Sequence, residues 1–371
     1  MRISGRLPYS SLARTHTCGS RGWSRRDALR VLGLGGFGAV SVLRPDIAES
    51  FPLQGRKISQ PASQQRRAII RTVLKDVPPD SITGVTLIHE HLSMHAIPPA
   101  PTFYDDVGLI ADEVGACARD GVSCIVDTGG QDLGRRIDDL RTIATRSGML
   151  IVACGGLHGK SGYPPDTFKK SEDQIAEDFF VLAQSERWGA IGEIGTGTAV
   201  PMDLDERKVL KATAKLHART GLSIITHTSD GCARCAMDQV DLFESAGVPL
   251  NQVVIGHLND ITEQPAAVPI AIAKRGAYVG FDHSGRPDDP RMPEYIRTIL
   301  SVLEAGHQDR LCLSSDFGSS KYLRKNGGPG IDMVLTTAVP RLKQASVSEA
   351  TLHTILVENP RRALAFVPKA S

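Results

Sequence analysis

The sequence predicts an α/β fold, a (β/α)8 or TIM barrel forming a single catalytic domain, and three observations carry that prediction. Beyond Ala68, eight short β-rich apolar runs alternate with segments long enough for helices, the rhythm of a parallel sheet buried on both faces. The first run leads into His91 with no Gly-rich phosphate loop, which an open doubly wound sheet would carry at that point. Several runs close on His or a carboxylate, and barrel enzymes assemble their sites from the C-terminal ends of their strands. A chain of 371 residues has room for one barrel of about 250 residues with loop insertions.

The eight runs are Val85–His89, Val122–Asp127, Leu150–Cys154, Ala190–Ile194, Ser223–His227, Gln252–His257, Ala277–Asp282 and Leu311–Asp316. Each is apolar along its length and ends on polar or Gly residues, as expected of a strand covered by helices on its outer face. Helix-length segments separate them at Asp106–Asp120, Asp132–Ser147, Asp173–Gln184, Leu204–Thr220 and Pro293–Ala305. Residues 68–368 are therefore read as the catalytic barrel.

What precedes the barrel differs in character. The whole chain has 43 Lys and Arg against 41 Asp and Glu, a net charge of +2 that argues against nucleic acid as a partner. That average hides an asymmetry: residues 1–70 hold twelve basic residues against three acids, or +9, leaving −7 on the other 301. Within this head, Ser24-Arg25-Arg26-Asp27-Ala28-Leu29-Arg30 precedes the weakly apolar, Gly-rich run Val31–Val40. Paired arginines before such a run resemble a twin-arginine export signal, with Ala28 departing at the aromatic position. Residues 1–49 are accordingly read as the signal region, with the twin-arginine export machinery as partner and the periplasm as destination. Residues 50–67, rich in Ser, Gln and Pro, are read as a linker. No stretch of about 18 apolar residues occurs, so stable membrane insertion is not expected. Seven Cys in 371 residues exclude a disulfide scaffold.

The strand ends supply the candidate chemistry. His89 and His91 alternate, so both side chains face one way; Glu193 closes the fourth run, His227 the fifth, His257 the sixth and Asp316 the eighth. Imidazole and carboxylate suit zinc and similar first-row ions. Four His and two carboxylates exceed the needs of one catalytic zinc, but can hold two metals that share a bridge.

These residues also carry a resemblance. Ile70-Arg71-Thr72-Val73, Pro78-Pro79-Asp80 and Gly84-Val85-Thr86-Leu87-Ile88-His89-Glu90-His91-Leu92 resemble the opening of the phosphotriesterase family of the amidohydrolase superfamily. Ile225-Thr226-His227-Thr228, Val254-Ile255-Gly256-His257, Gly280-Phe281-Asp282-His283, Leu313-Ser314-Ser315-Asp316 and Asn359-Pro360-Arg361-Arg362 are similar to its later motifs, in order. The resemblance implies that His89, His91 and Asp316 hold a buried metal and that His227 and His257 hold a more exposed one. A bridging carboxylate and hydroxide would join the two. Where the best-known members use a carbamylated lysine as bridge, this chain has Glu193, which is similar to the phosphotriesterase homology proteins. Two divalent ions per chain are thus expected, with zinc the expected identity. The attack would fall on an ester-like bond, a phosphoester or a lactone, of a small-molecule substrate. Asp316 would accept the proton, and Asp282 with His283 would relay it towards solvent. A homodimer is the family-based expectation.

Loops after the strands are expected to select the substrate. Tyr163, after the third strand, Arg286, after the seventh, and Lys321, after the eighth, are the candidates, alongside His158, Lys160, Tyr322, Arg324 and Lys325; the cations suit a phosphate or carboxylate group. Cys232 and Cys235 form a C-x-x-C that an exported compartment would allow to pair, or two loop thiols without a role. Cys117, Cys124, Cys154 and Cys312 are read as small core residues. Two other functions remain open: a non-catalytic, metal-dependent small-molecule binding protein on the same barrel, and a mononuclear amidohydrolase of C–N bonds, which the bridging-type Glu193 disfavours.

Overall fold

The computed structural model describes residues 67–95, 102–262 and 264–369. The signal region 1–49, and the linker 50–67 except Arg67, lie outside them. The described chain opens with a small antiparallel hairpin, β1 (Ile70–Arg71) with β2 (Asp76–Val77). Eight parallel strands follow in two arcs. β3 (Val85–Glu90), β4 (Val122–Asp127) and β5 (Leu150–Ala153) pair in sequence order. So do β6 (Ala190–Thr196), β7 (Ser223–Thr228), β8 (Val253–Ile255), β9 (Tyr278–Phe281) and β10 (Leu311–Leu313).

Backbone hydrogen bonds just outside the ladders join the arcs into a barrel. At one seam Asp316 N–H donates to His89 O (3.1 Å) and His91 N–H to Phe317 O (3.3 Å). At the other, Gly189 N–H donates to Ala153 O (2.9 Å) and Gly192 N–H to Gly155 O (3.0 Å).

Each strand is followed by a helix. In order these are α1 (Val107–Arg119), α2 (Ile137–Ser147), α3 (Glu172–Ser185) and α4 (Leu204–Thr220). They continue with α5 (Ala233–Ser245), α6 (Ala267–Lys274), α7 (Met292–Glu304) and α8 (Met333–Gln344). The physical causes are local. Before α3, Ser171 Oγ accepts from Gln174 N–H and Gln174 Oε1 accepts from Ser171 N–H, a reciprocal cap worth about 1 kcal/mol. Its Ile175, Ala176, Phe179 and Ala183, spaced three or four apart, form the buried stripe.

Neighbouring residues of a strand are buried on opposite faces, which is why the runs read as continuously apolar. Ile88, Val126, Val152, Ile225, Val254, Tyr278 and Cys312 fill the barrel, and Ile70, Val77, Ile82, Ala363 and Leu364 pack into the same core. Leu87, Ile125, Ile151, Ile191 and Ile224 meet the helices instead. Cys124, Cys154 and Cys312 lie in the barrel core, and Cys117 is buried in the helical layer. Cys232 and Cys235 are joined as a disulfide at the start of α5.

The last three strands end earlier than the sequence runs suggest, at Ile255, Phe281 and Leu313. His257 and Asp316 take left-handed φ of 58° and 47°, which turns the chain out of extended geometry just past the sheet.

Candidate metal centre

Bulges and turns place the ligands. β3 slips against β4 between Leu87 and Glu90, where Ile88 and His89 together oppose Val126. β6 slips against β7 in the same way between Ile191 and Ile194. Such bulges re-aim side chains, here His89 and Glu193. The second needs glycine: a Cβ on Gly192 (φ 154°) would lie 2.5 Å from Ile225 O. His257 and Asp316 instead reach the barrel mouth from their left-handed turns.

The outcome is a ring of donors around Glu193. His227 Nδ1 and His257 Nε2 lie 2.6 and 2.9 Å from Glu193 Oε1, with His89 Nε2 at 3.4 Å. His91 Nε2 is 3.7 Å from Glu193 Oε2 and 3.2 Å from Asp316 Oδ1, which is itself 3.9 Å from His89 Nε2. All six predicted ligands therefore converge. They fall into overlapping groups: His89, His91 and Asp316 on one side, His89, Glu193 and His257 in the middle, and His158, Glu193 and His227 on the other. His89 Nε2 is buried yet makes no hydrogen bond with any described residue. An orphaned imidazole nitrogen aimed between two carboxylates fits a metal ligand, as does this N and O donor set.

Electrostatics point the same way. Burial alone would raise the Glu193 carboxyl, but His89, His227 and His158 hold it well below the usual range. Asp316 is likewise depressed against burial, by His283 and His91. Burial opposes a proton on His89, yet Glu193 and Asp282 raise its pKa to about 10. The ionised carboxylates thus hold cations among them, a role that protons and metal ions compete to fill.

Around the ligands, two assignments change. The Asp282 carboxylate meets His257 and His89 instead of His283. It accepts from His257 N–H (3.0 Å), lies 2.8 Å from His257 Nδ1, and sits 3.2 Å from His89 Nδ1. It therefore fixes which nitrogen each imidazole presents to the centre. The carboxylate beside His283 is Asp260, which the sequence reading missed. His283 Nε2 lies 2.8 Å from Asp316 Oδ2, and its Nδ1 lies 3.0 Å from Asp260 Oδ2. A one-turn 310 helix, Leu258–Asp260, carries Asp260 there directly after His257. Tyr295 Oη and Arg291 Nη1 hold its other oxygen at 3.3 and 3.0 Å.

The centre opens into a cavity of about 400 Å³, with His158, Arg286, Lys321 and Tyr322 in its wall. Both predicted cations are already paired. Arg286 Nη2 donates to Asp316 Oδ2 at 2.5 Å, and Lys321 Nζ to Asp288 Oδ2 at 2.8 Å. Tyr163 is absent from the wall: it is buried behind the loop, with its ring 6.2 Å from that of Phe168. Its ring packs into the hydrophobic core, so it does not face substrate. Lys160 is bound to Asp203, and Arg324 to Asp120 and Asp332, so neither is a free anion site.

Comparison with known proteins agrees with this architecture. The model of the phosphotriesterase family matches residues 69–364. The phosphotriesterase homology protein of Escherichia coli is 30% identical over 291 residues, covering 75% of this chain and 97% of its own. The N-acetyltaurine hydrolase of Danio rerio is 24% identical over 349 residues, covering 81% and 99%. Among solved structures, the E. coli homology protein with phosphate in its active site matches with a TM-score of 0.69 at 27% identity, over 76% of this chain and 99% of that one. A resiniferatoxin-binding protein from Rhodobacter sphaeroides matches with a TM-score of 0.71 at 29% identity, over 80% and 94%. With its barrel, its ring of strand-end ligands and the family match running nearly from end to end of the described residues, the chain belongs to the phosphotriesterase family.

Proposed function

We propose that the protein is a binuclear metal-dependent hydrolase that directs activated water onto an ester-like bond, a phosphoester or a lactone. The observation that carries this reading is Glu193, whose Oε1 faces His227 and His257, with His89 further off, while its Oε2 faces His91. That is the arrangement of a carboxylate spanning two ions. His89, His91 and Asp316 would hold the buried ion, and His227 and His257 the exposed one. Two divalent ions, with zinc the expected identity, supply Lewis acidity and a water of lowered pKa when bound.

The chain's own residues divide the remaining work. Asp316 presents Oδ1 to the ligand side and Oδ2 to His283, so a proton accepted there has a path to His283 Nε2 and on towards Asp260. Arg286 holds the same oxygen and restrains the Asp316 rotamer. Asp282 keeps His89 and His257 oriented. The polar wall of the cavity suits a small polar substrate.

A second reading, hydrolysis of an acyl amide, is favoured by the curated relatives named N-acetyltaurine hydrolases. The same residues serve a carbonyl of either kind. The experiment is metal analysis of the purified protein followed by a hydrolysis screen of lactones, phosphotriesters, phosphomonoesters and N-acyl amino sulfonates. Near two ions per chain with turnover of an ester supports the first reading, and clearly less than one ion per chain overturns the binuclear site. Turnover confined to the amide selects the second. Binding without any turnover selects a metal-dependent binding protein.

The Arg25-Arg26 pair and the basic head support export through the twin-arginine route to the periplasm. N-terminal sequencing of the protein from a periplasmic fraction tests this, and wholly cytoplasmic, uncut protein overturns it.

A further inference from the structure

The exposed side of the centre has one more imidazole than the ligand set drawn from family resemblance. His158 stands in the loop between β5 and α3, with its Nε2 3.2 Å from His227 Nδ1 and 3.9 Å from Glu193 Oε1. The two rings meet edge to face, with centroids 4.3 Å apart. His227 Nδ1 bears at most one hydrogen, and Glu193 Oε1 already lies closer, at 2.6 Å. A single proton therefore does not account for a second ring nitrogen aimed at the same point. A cation shared by the three atoms does.

The loop is built to hold His158 there. The Asp132 carboxylate accepts the backbone N–H of Gly159, the next residue, at 3.1 Å. Gln131 Oε1 accepts Gly156 N–H at 3.1 Å. The backbone of His158 presses on β6 so closely that a Cβ on Gly195, two residues beyond Glu193, would lie 1.7 Å from His158 O. The imidazole is part of the cavity wall and not of the apolar core.

We propose that His158 Nε2 is a fourth protein donor for the exposed metal position, joining Glu193, His227 and His257. The inference rests on the binuclear reading above. Catalytic metal sites keep an open coordination position. A donor carried on a cavity-wall loop would occupy that position and help retain the ion. The donor is neutral imidazole, and the cation class is a first-row divalent ion such as Zn²⁺ or Co²⁺.

The test is titration of the metal-free full-length protein with Zn²⁺ against a chromophoric chelator, paired with the visible spectrum of the Co²⁺ form. Far-UV circular dichroism verifies the fold. In His158→Ala, one of two equivalents is expected to weaken at least about tenfold while the other is unchanged, and the Co²⁺ bands shift. His158→Asp, which offers an oxygen donor in place of the nitrogen, is expected to regain part of the affinity. Unchanged affinities and an unchanged Co²⁺ spectrum in His158→Ala overturn the proposal. So does equal weakening of both equivalents that Asp does not rescue, because that marks general disruption of the loop. A wild-type protein binding fewer than two equivalents removes the binuclear reading and this inference together. Two equivalents in the wild type with no change in the variant removes this inference alone.

Discussion

Two carboxylates near the candidate ligands, buried Asp282 and half-buried Asp260, touch different histidines, and substitution is expected to separate them. Asp282 touches His89 and His257, so Asp282→Asn is expected to weaken metal binding roughly 10- to 100-fold, with turnover partly recovered in excess metal. The Asp260 side chain touches His283, Tyr295 and Arg291 and none of the six candidate ligand side chains, so Asp260→Asn is expected to lower kcat by roughly 10- to 100-fold at unchanged metal content. Metal analysis alongside steady-state kinetics checks both; loss of metal from Asp260→Asn would remove it from the relay. This distinction also marks where sequence reasoning stops. His89, His91, Glu193, His227, His257 and Asp316 were legible because each lies at or just past the end of an apolar run, where a barrel builds its site. The resemblance pairs Asp282 with His283, but adjacent residues at a strand end point to different sides. Asp260 carried no signal of its own. It reaches His283 only because His257 turns left-handed and the following 310 turn folds back.

At the level of elements, the eight-unit rhythm was readable because parallel strands buried on both faces leave unbroken apolar runs. The bulges in β3 and β6 were not, since a slip in register leaves the apolar pattern almost intact. The seam between the first and last barrel strands depends on Glu90, between the two paired histidines. Its Oε1 accepts from Ser314 Oγ (2.7 Å) and Ser315 N–H (2.9 Å), and its Oε2 from Phe317 N–H (2.7 Å). Burial pushes its carboxyl up to about 8, against the pull of those donors. Glu90→Ala leaves buried donors without an acceptor, and is expected to cost at least roughly 1–3 kcal/mol, read as a fall in the urea midpoint. A midpoint equal to that of the wild type would show that the seam closes without it.

On the scale of the molecule, a metal-dependent hydrolase of this design gathers its ligands from β3, β6 and β7 and from the turns after β8 and β10, so metal occupancy and barrel integrity are linked. An ion present at 100 times its dissociation constant adds about 2.7 kcal/mol to stability. Removing it with a chelator is therefore expected to lower Tm by roughly 5 °C or more, reversibly on adding metal back; calorimetry with no shift would separate the centre from the fold. Far along the chain from these ligands, Ile69 N–H donates to Phe366 O (2.8 Å) and Phe366 N–H to Ile69 O (3.0 Å). The two ends of the barrel segment are thus hydrogen-bonded neighbours, and residues 69–366 nearly close a circle. Its order of reading is then a convention: a circular permutant joined across this bridge and opened in the turn at Gly306 would keep every candidate ligand on its own strand or turn. Cargo or surface tethers fused beside the bridge would meet the enzyme where no ligand residue sits.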